Sequence, residues 1–148
     1  MKRFVIAALG AVAFAGTLPV LANDSLAAPA PQALLQQGSR WSTDAPLRAG
    51  MEGVRAGVAE LRAKDRFSIA DYRRLGNTVD ARIAAILRDC KLAPDADASL
   101  HAVIAELSTA AAEMRAPWPV PAGGLHRARQ ALEKYERSFE HPGFVPIG

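Results

Sequence analysis

The sequence predicts an all-α protein, an antiparallel four-helix bundle with up-down-up-down connections, and three observations predict it. Apolar residues recur at spacings of three and four along four separate stretches, as they do on the inward face of a helix. The segments between those stretches hold cap-type residues, prolines and glycines, which stop helices. No alternating strand pattern and no internal repeat stands out.

Ahead of the bundle, residues 1–22 read as a targeting segment. Lys2 and Arg3 form its basic head, "FVIAALGAVAFAG" its apolar run, and Thr17, Leu18 and Pro19 break that run. Val20 and Ala22 flank Leu21 as a signal-peptidase site requires, so the mature chain is expected to begin at Asn23. The apolar run is about a dozen residues, against the roughly 20 that cross a bilayer. No cysteine follows it to carry a lipid. The expectation is a soluble protein exported to a bacterial periplasm, with no membrane span after signal cleavage.

Export also corrects the charge. Lys2 and Arg3 are two of the 18 Lys and Arg, which leaves 16 against 15 Asp and Glu, or +1. No cluster of basic residues interleaves with aromatics, so nucleic acid is not expected as a partner. One cysteine closes no internal disulfide, and the fold has to rest on an apolar core.

Residues 23–40, "NDSLAAPAPQALLQQGSR", have no sustained period and read as a flexible leader. The bundle domain with its C-terminal tail is placed at 41–148. Thr43 and Asp44 are cap-type residues and Pro46 suits a first turn, so the first helix starts there and turns Leu47, Met51, Val54, Val58 and Leu61 inward. Ser68 and Asp71 form a capping box that opens the second helix. Its stripe runs Ile69, Tyr72, Leu75, Val79, Ile83, Ile86 and Cys90, and Gly76 within it marks a close helix contact. After the link Lys91–Leu92–Ala93, Pro94, Asp95 and Asp97 start the third helix, with Ala96, Leu100, Val103, Leu107, Ala110 and Met114 inward. So short a link makes an antiparallel hairpin. "RAPWPVPAGG" cannot continue a helix, and Trp118 is expected to fold back from it as an apolar plug. The fourth helix is placed at about Leu125–Phe139, with Leu125, Ala128, Leu132, Tyr135 and Phe139 inward and "EHPGFVPIG" as a turn and extended tail.

"DCKLAPDADASLH", residues 89–101, gathers the lone cysteine, acidic residues and a histidine. Packing explains Cys90, four residues beyond Ile86, and an i,i+4 surface pair explains Asp97 with His101. The sharper alternative is a copper or zinc site of Cys90, Asp97 and His101, with Met51 as a soft addition. Against it, His101 points about 130° from the centre of its core face and lies about 9 Å further down the bundle than Cys90. Haem is not expected: C-x-x-C-H is absent, and His126 projects about 140° from its helix's apolar centre.

H-E-x-x-H, G-x-S-x-G and Glu-x-x-His are missing, so no enzyme is indicated. Arg48, Arg55 and Arg62 on the first helix and Arg73, Arg74, Arg82 and Arg88 on the second read as solvated faces. A basic groove for an anionic ligand is the alternative.

"WSTDAPLRAGM" at 41–51, "CKLAPDADASLH" at 90–101 and "FEHPGF" at 139–144 together resemble the DnrO-like group of small exported proteobacterial proteins. The resemblance covers most of the mature chain and implies a bundle in the envelope rather than an activity or DNA regulation. Some members carry a His-rich stretch after the signal segment, which this chain lacks, and that departure weakens any metal binding the resemblance would imply. Two functions then compete. One is a non-enzymatic accessory protein meeting an envelope protein partner through Trp41, Trp118 and Phe144. The other is a copper- or zinc-binding protein using Cys90, Asp97, His101 and Met51.

Overall fold

A computed structural model of the chain describes residues 39–117 and 122–147. The expected signal segment at 1–22, almost all of the expected leader at 23–40 and the expected Trp118 plug therefore lie outside the described residues. In chain order come β1 (Trp41–Ser42), α1 (Ala45–Arg62), α2 (Ile69–Asp89), α3 (Pro94–Arg115), α4 (Ala122–Ser138) and β2 (Phe139–Glu140). Among the described residues the protein is all-α with four helices, as its periodicity predicts.

The first three helices start where the sequence supplies a start. Asp44 caps α1, its carboxylate accepting the Leu47 N–H at 2.8 Å. Ser68 and Asp71 close a reciprocal capping box at the head of α2, satisfying two N–H groups that have no partner within the helix. Ala93 brings no side-chain cap to α3, and Asp95 and Asp97 in the first turn face the positive end of the helix dipole instead.

Both ends of α2 and of α4 differ from expectation. Cys90 is not the last residue of the α2 stripe but the extended cap beyond it, with φ −72° and ψ 139°. Ala93, held extended by the proline that follows it, keeps the whole link out of helical geometry. Ile69 opens α2 yet is 55% exposed rather than inward, since a first-turn side chain leans past the end of its own helix. The fourth helix begins three residues before Leu125, and Phe139 has left it for β2.

The core joins the inward faces of all four helices, and no polar or charged residue among those described is buried in it. Its face on α3 is broader than the single stripe, adding Ile104 and Ala111, because α3 packs against both α2 and α4. Glycine permits those approaches. A Cβ at Gly76 would sit 2.8 Å from the Ala111 carbonyl oxygen, and one at Gly124 2.7 Å from that of Ala110.

Candidate functional site

The three sequence stretches that stood apart from simple periodicity meet at one end of the molecule. β1 and β2 pair in parallel, Trp41 opposite Phe139 and Ser42 opposite Glu140. Thr43 Oγ1 donates to the Glu140 carbonyl at 2.7 Å, and Arg48 Nη1 donates to the Thr43 carbonyl at 2.6 Å. Asp44 holds the third stretch: one carboxylate oxygen caps α1 while the other accepts the Lys91 N–H at 2.6 Å. A single carboxylate thus fastens the head of α1 to the α2–α3 link.

Behind these bonds lies an aromatic cluster. Tyr135 is fully buried, stacked on Phe139 at 5.1 Å and edge-on to Phe144 at 5.1 Å. Its hydroxyl shares a 3.0 Å hydrogen bond with Nδ1 of His141, and His141 stacks on Phe144 at 4.9 Å. The turn His141–Pro142–Gly143–Phe144 folds the tail onto Tyr135. Its Phe144 N–H bonds the His141 carbonyl at 3.1 Å, and Gly143 at φ +79° takes the position where a type II turn needs a glycine.

The charges at this end oppose one another. Burial raises the Asp44 pKa, but the Lys91 and Leu47 N–H groups, the Cys90 thiol and Arg48 outweigh it and the net shift is downward. Burial, the Asp44 charge and the Cys90–Asp44 hydrogen bond together push the Cys90 thiol up to about 12, with Asp97 adding to the effect. Cys90 is therefore a neutral thiol at ordinary pH and a poor nucleophile. Burial raises the Tyr135 hydroxyl, and burial followed by Arg48 lowers the His141 imidazole, so that pair also stays neutral.

In front of the cluster opens a cleft of about 300 Å³ bordered by Trp41, Thr43, Asp44, Lys91, Leu92 and Ala96. The Trp41 indole nitrogen at its edge is buried with no hydrogen-bond partner among the described residues.

The expected metal set is not assembled here. Among the described residues no group of three or more His, Cys, Asp and Glu could hold a metal ion. Cys90 turns to Asp44. The Nδ1 of His101 lies 2.9 Å from the Asp97 carbonyl oxygen and 3.5 Å from its carboxylate, the i,i+4 pairing of an exposed helix face. Met51 is fully buried on the core face of α1. Of the three aromatic residues assigned to a partner surface, two lie among the described residues. Phe144 is 8% exposed and Trp41 is half-buried against the core, while Trp118 lies outside the described residues. Asp44, Tyr135 and His141, which build this end, were legible only as a cap, a core stripe and a turn.

No family model matches the chain, and neither the search of curated proteins nor that of solved structures returns a significant match.

Proposed function

We propose that this chain is a non-catalytic binding or accessory protein of the cell envelope, exported through the segment at residues 1–22, and that it meets a protein partner at the cleft beside Trp41. Membership of the DnrO-like group, with its envelope location, is part of this proposal. So is the up-down-up-down arrangement, supported by contacts that run in opposite directions along neighbouring helices. Gly57 lies against Leu75 and Thr78, Gly76 against Ala111, and the pairs Arg127–Glu113 and Lys134–Glu106 link α4 to α3.

One observation carries the reading: three distant stretches converge on a cleft bordered by Trp41, whose buried indole N–H has no partner among the described residues, and by the exposed Lys91 beside apolar Leu92. The titratable groups around it hold one another neutral or paired, which suits binding better than proton transfer. No helix among the described residues is long and apolar enough to cross a membrane.

Periplasmic extracts should contain a chain whose intact mass starts at Asn23. A photo-crosslinking residue at Leu92 should then capture a discrete partner in living cells, and the adduct should fade with Trp41→Ala. The same residue at Ala105, on the exposed face of α3, should not. Identical adducts from both positions, or none from Leu92, would reject the cleft as the binding end.

A further inference from the structure

The opposite end of α1 carries a second feature that the cleft does not explain. Phe67 and Ile69, in the link to α2 and its first turn, are 47% and 55% exposed. Phe67 is not loose: it stands edge-on to Tyr72 with ring centroids 6.0 Å apart, so its free side is held outward by a buried anchor.

Charge gathers around this pair. Between Arg62 and Arg74 the chain places five cations against two carboxylates, a net +3 equal to that of all 148 residues. Lys64 and Asp71 neutralise each other at 2.5 Å, and Arg74 reaches Asp71 only at 3.9 Å. Arg62, Arg66 and Arg73 are exposed and have no carboxylate within ion-pair distance among the described residues. Elsewhere on the helices Arg55, Arg88, Arg115 and Arg127 each have one, while the exposed Arg82 and Arg137 do not. What marks this tip is three unpaired cations gathered within twelve residues around two displayed apolar side chains.

Its shape decides what it fits. Two side chains on a helix-hairpin tip offer far less than the roughly 800 Å² that each partner of a stable protein interface buries. A hollow there, between α1 and α2, is about 40 Å³. A bilayer needs no such area, because apolar side chains enter the headgroup boundary singly and cations gain from anionic lipid without a shaped partner.

We propose that the α1–α2 tip seats on an anionic lipid surface, with Phe67 and Ile69 in the headgroup boundary and Arg62, Arg66, Arg73 and Arg74 against lipid phosphates. By the length of α1 this contact lies about 27 Å from the cleft end, so it holds or fails independently of the partner proposal. A bundle standing on the membrane by this tip would present the other end of α1 away from the bilayer.

The test is co-sedimentation of the full chain with vesicles containing phosphatidylglycerol, beside vesicles of phosphatidylcholine alone. The parent should bind the anionic vesicles, bind the neutral ones weakly, and release as salt rises from about 0.05 to about 0.5 M. Phe67→Ser with Ile69→Ser, and separately Arg66→Glu with Arg73→Glu, should each lower partitioning about tenfold. All four positions are exposed, so neither variant opens the core. Equal binding by parent and both variants would overturn the proposal and assign the affinity elsewhere in the chain, residues 1–22 included. A parent that ignores anionic vesicles would overturn it too, and crosslinks to protein from position 67 would then make the tip a protein-docking surface.

Discussion

Asp44→Ala should be among the most costly substitutions of a partly exposed residue in this protein. The side chain makes two bonds that alanine cannot: the α1 cap to Leu47 at 2.8 Å and the link to Lys91 at 2.6 Å. A lost N-cap costs about 1 kcal/mol. The bond to Lys91 is charge-assisted but exposed, so its loss is set at about 1 kcal/mol, below the usual charged-bond range. The sum, about 2 kcal/mol, corresponds to a Tm lower by roughly 10 °C for a domain of this size. Asp44→Asn separates the two bonds. Asparagine still caps, but its one oxygen cannot serve both N–H groups, so about half the loss should remain. The sign of the pH dependence follows from the lowered carboxylate. Its stabilisation is present above the ordinary 3.8 and is lost as pH falls through the lower folded value, so parent and Asp44→Ala should converge in acid. Urea and thermal melts followed by circular dichroism measure all three. A loss below about 0.5 kcal/mol for Asp44→Ala, or equal losses for Asn and Ala, would refute the account of Asp44 as a two-bond fastener.

Three further outcomes are expected. Gly76→Ala and Gly124→Ala gain about 1 kcal/mol of helix propensity but push a methyl onto backbone carbonyls, and should destabilise by about 1–2 kcal/mol net. Gly123→Ala, whose nearest neighbouring atom would be 3.9 Å away, should be neutral or slightly stabilising, and the reverse order in denaturant melts would contradict the packing described. Cys90, held up to about 12 against an ordinary 9.0, should alkylate with iodoacetamide on the order of a hundredfold more slowly in the folded chain than in urea. Burial is the largest cause, so Asp44→Ala should recover only part of that rate, whereas equal rates before and after unfolding would show an ordinary thiol. The lowered His141 makes the unfolded chain the better proton binder, so stability should fall as pH drops below the ordinary 6.5 towards the lower folded value. His141→Gln should flatten that part of the pH profile, and an unchanged slope would assign it to other groups.

Much of the helical layout was legible because the signals were local. The Asp44 and Ser68 caps, Pro94 after a three-residue link, and the three-four spacing of Leu47 to Leu61 each act within one or two turns of chain. Gly76 was legible as a close contact for a similar reason: a residue that weakens its own helix needs a packing advantage to remain there. The β1–β2 pair had no such signal, since two residues cannot display an alternation and their partners lie 98 positions apart.

The site was harder to read because residue type alone does not fix the partner. Cys90 and His101 look like ligands side by side in the sequence. In the fold the thiol turns to Asp44, 46 positions earlier, while His101 stays with Asp97 on an exposed helix face. Phe144 looked displayed in a glycine-proline tail, yet the turn at Gly143 lays it against Tyr135.

By itself, then, the sequence determined the class, the four helices and most of their inward faces, because apolar periodicity, caps and prolines act through neighbours along the chain. The tertiary structure alone decided that Asp44, Lys91, Tyr135 and His141 share one end, that the ligand-type residues divide between two partners, and that Phe67 and Ile69 remain uncovered. Those outcomes depend on which helix ends meet, and the free energy that settles it comes from burying faces contributed by all four helices at once.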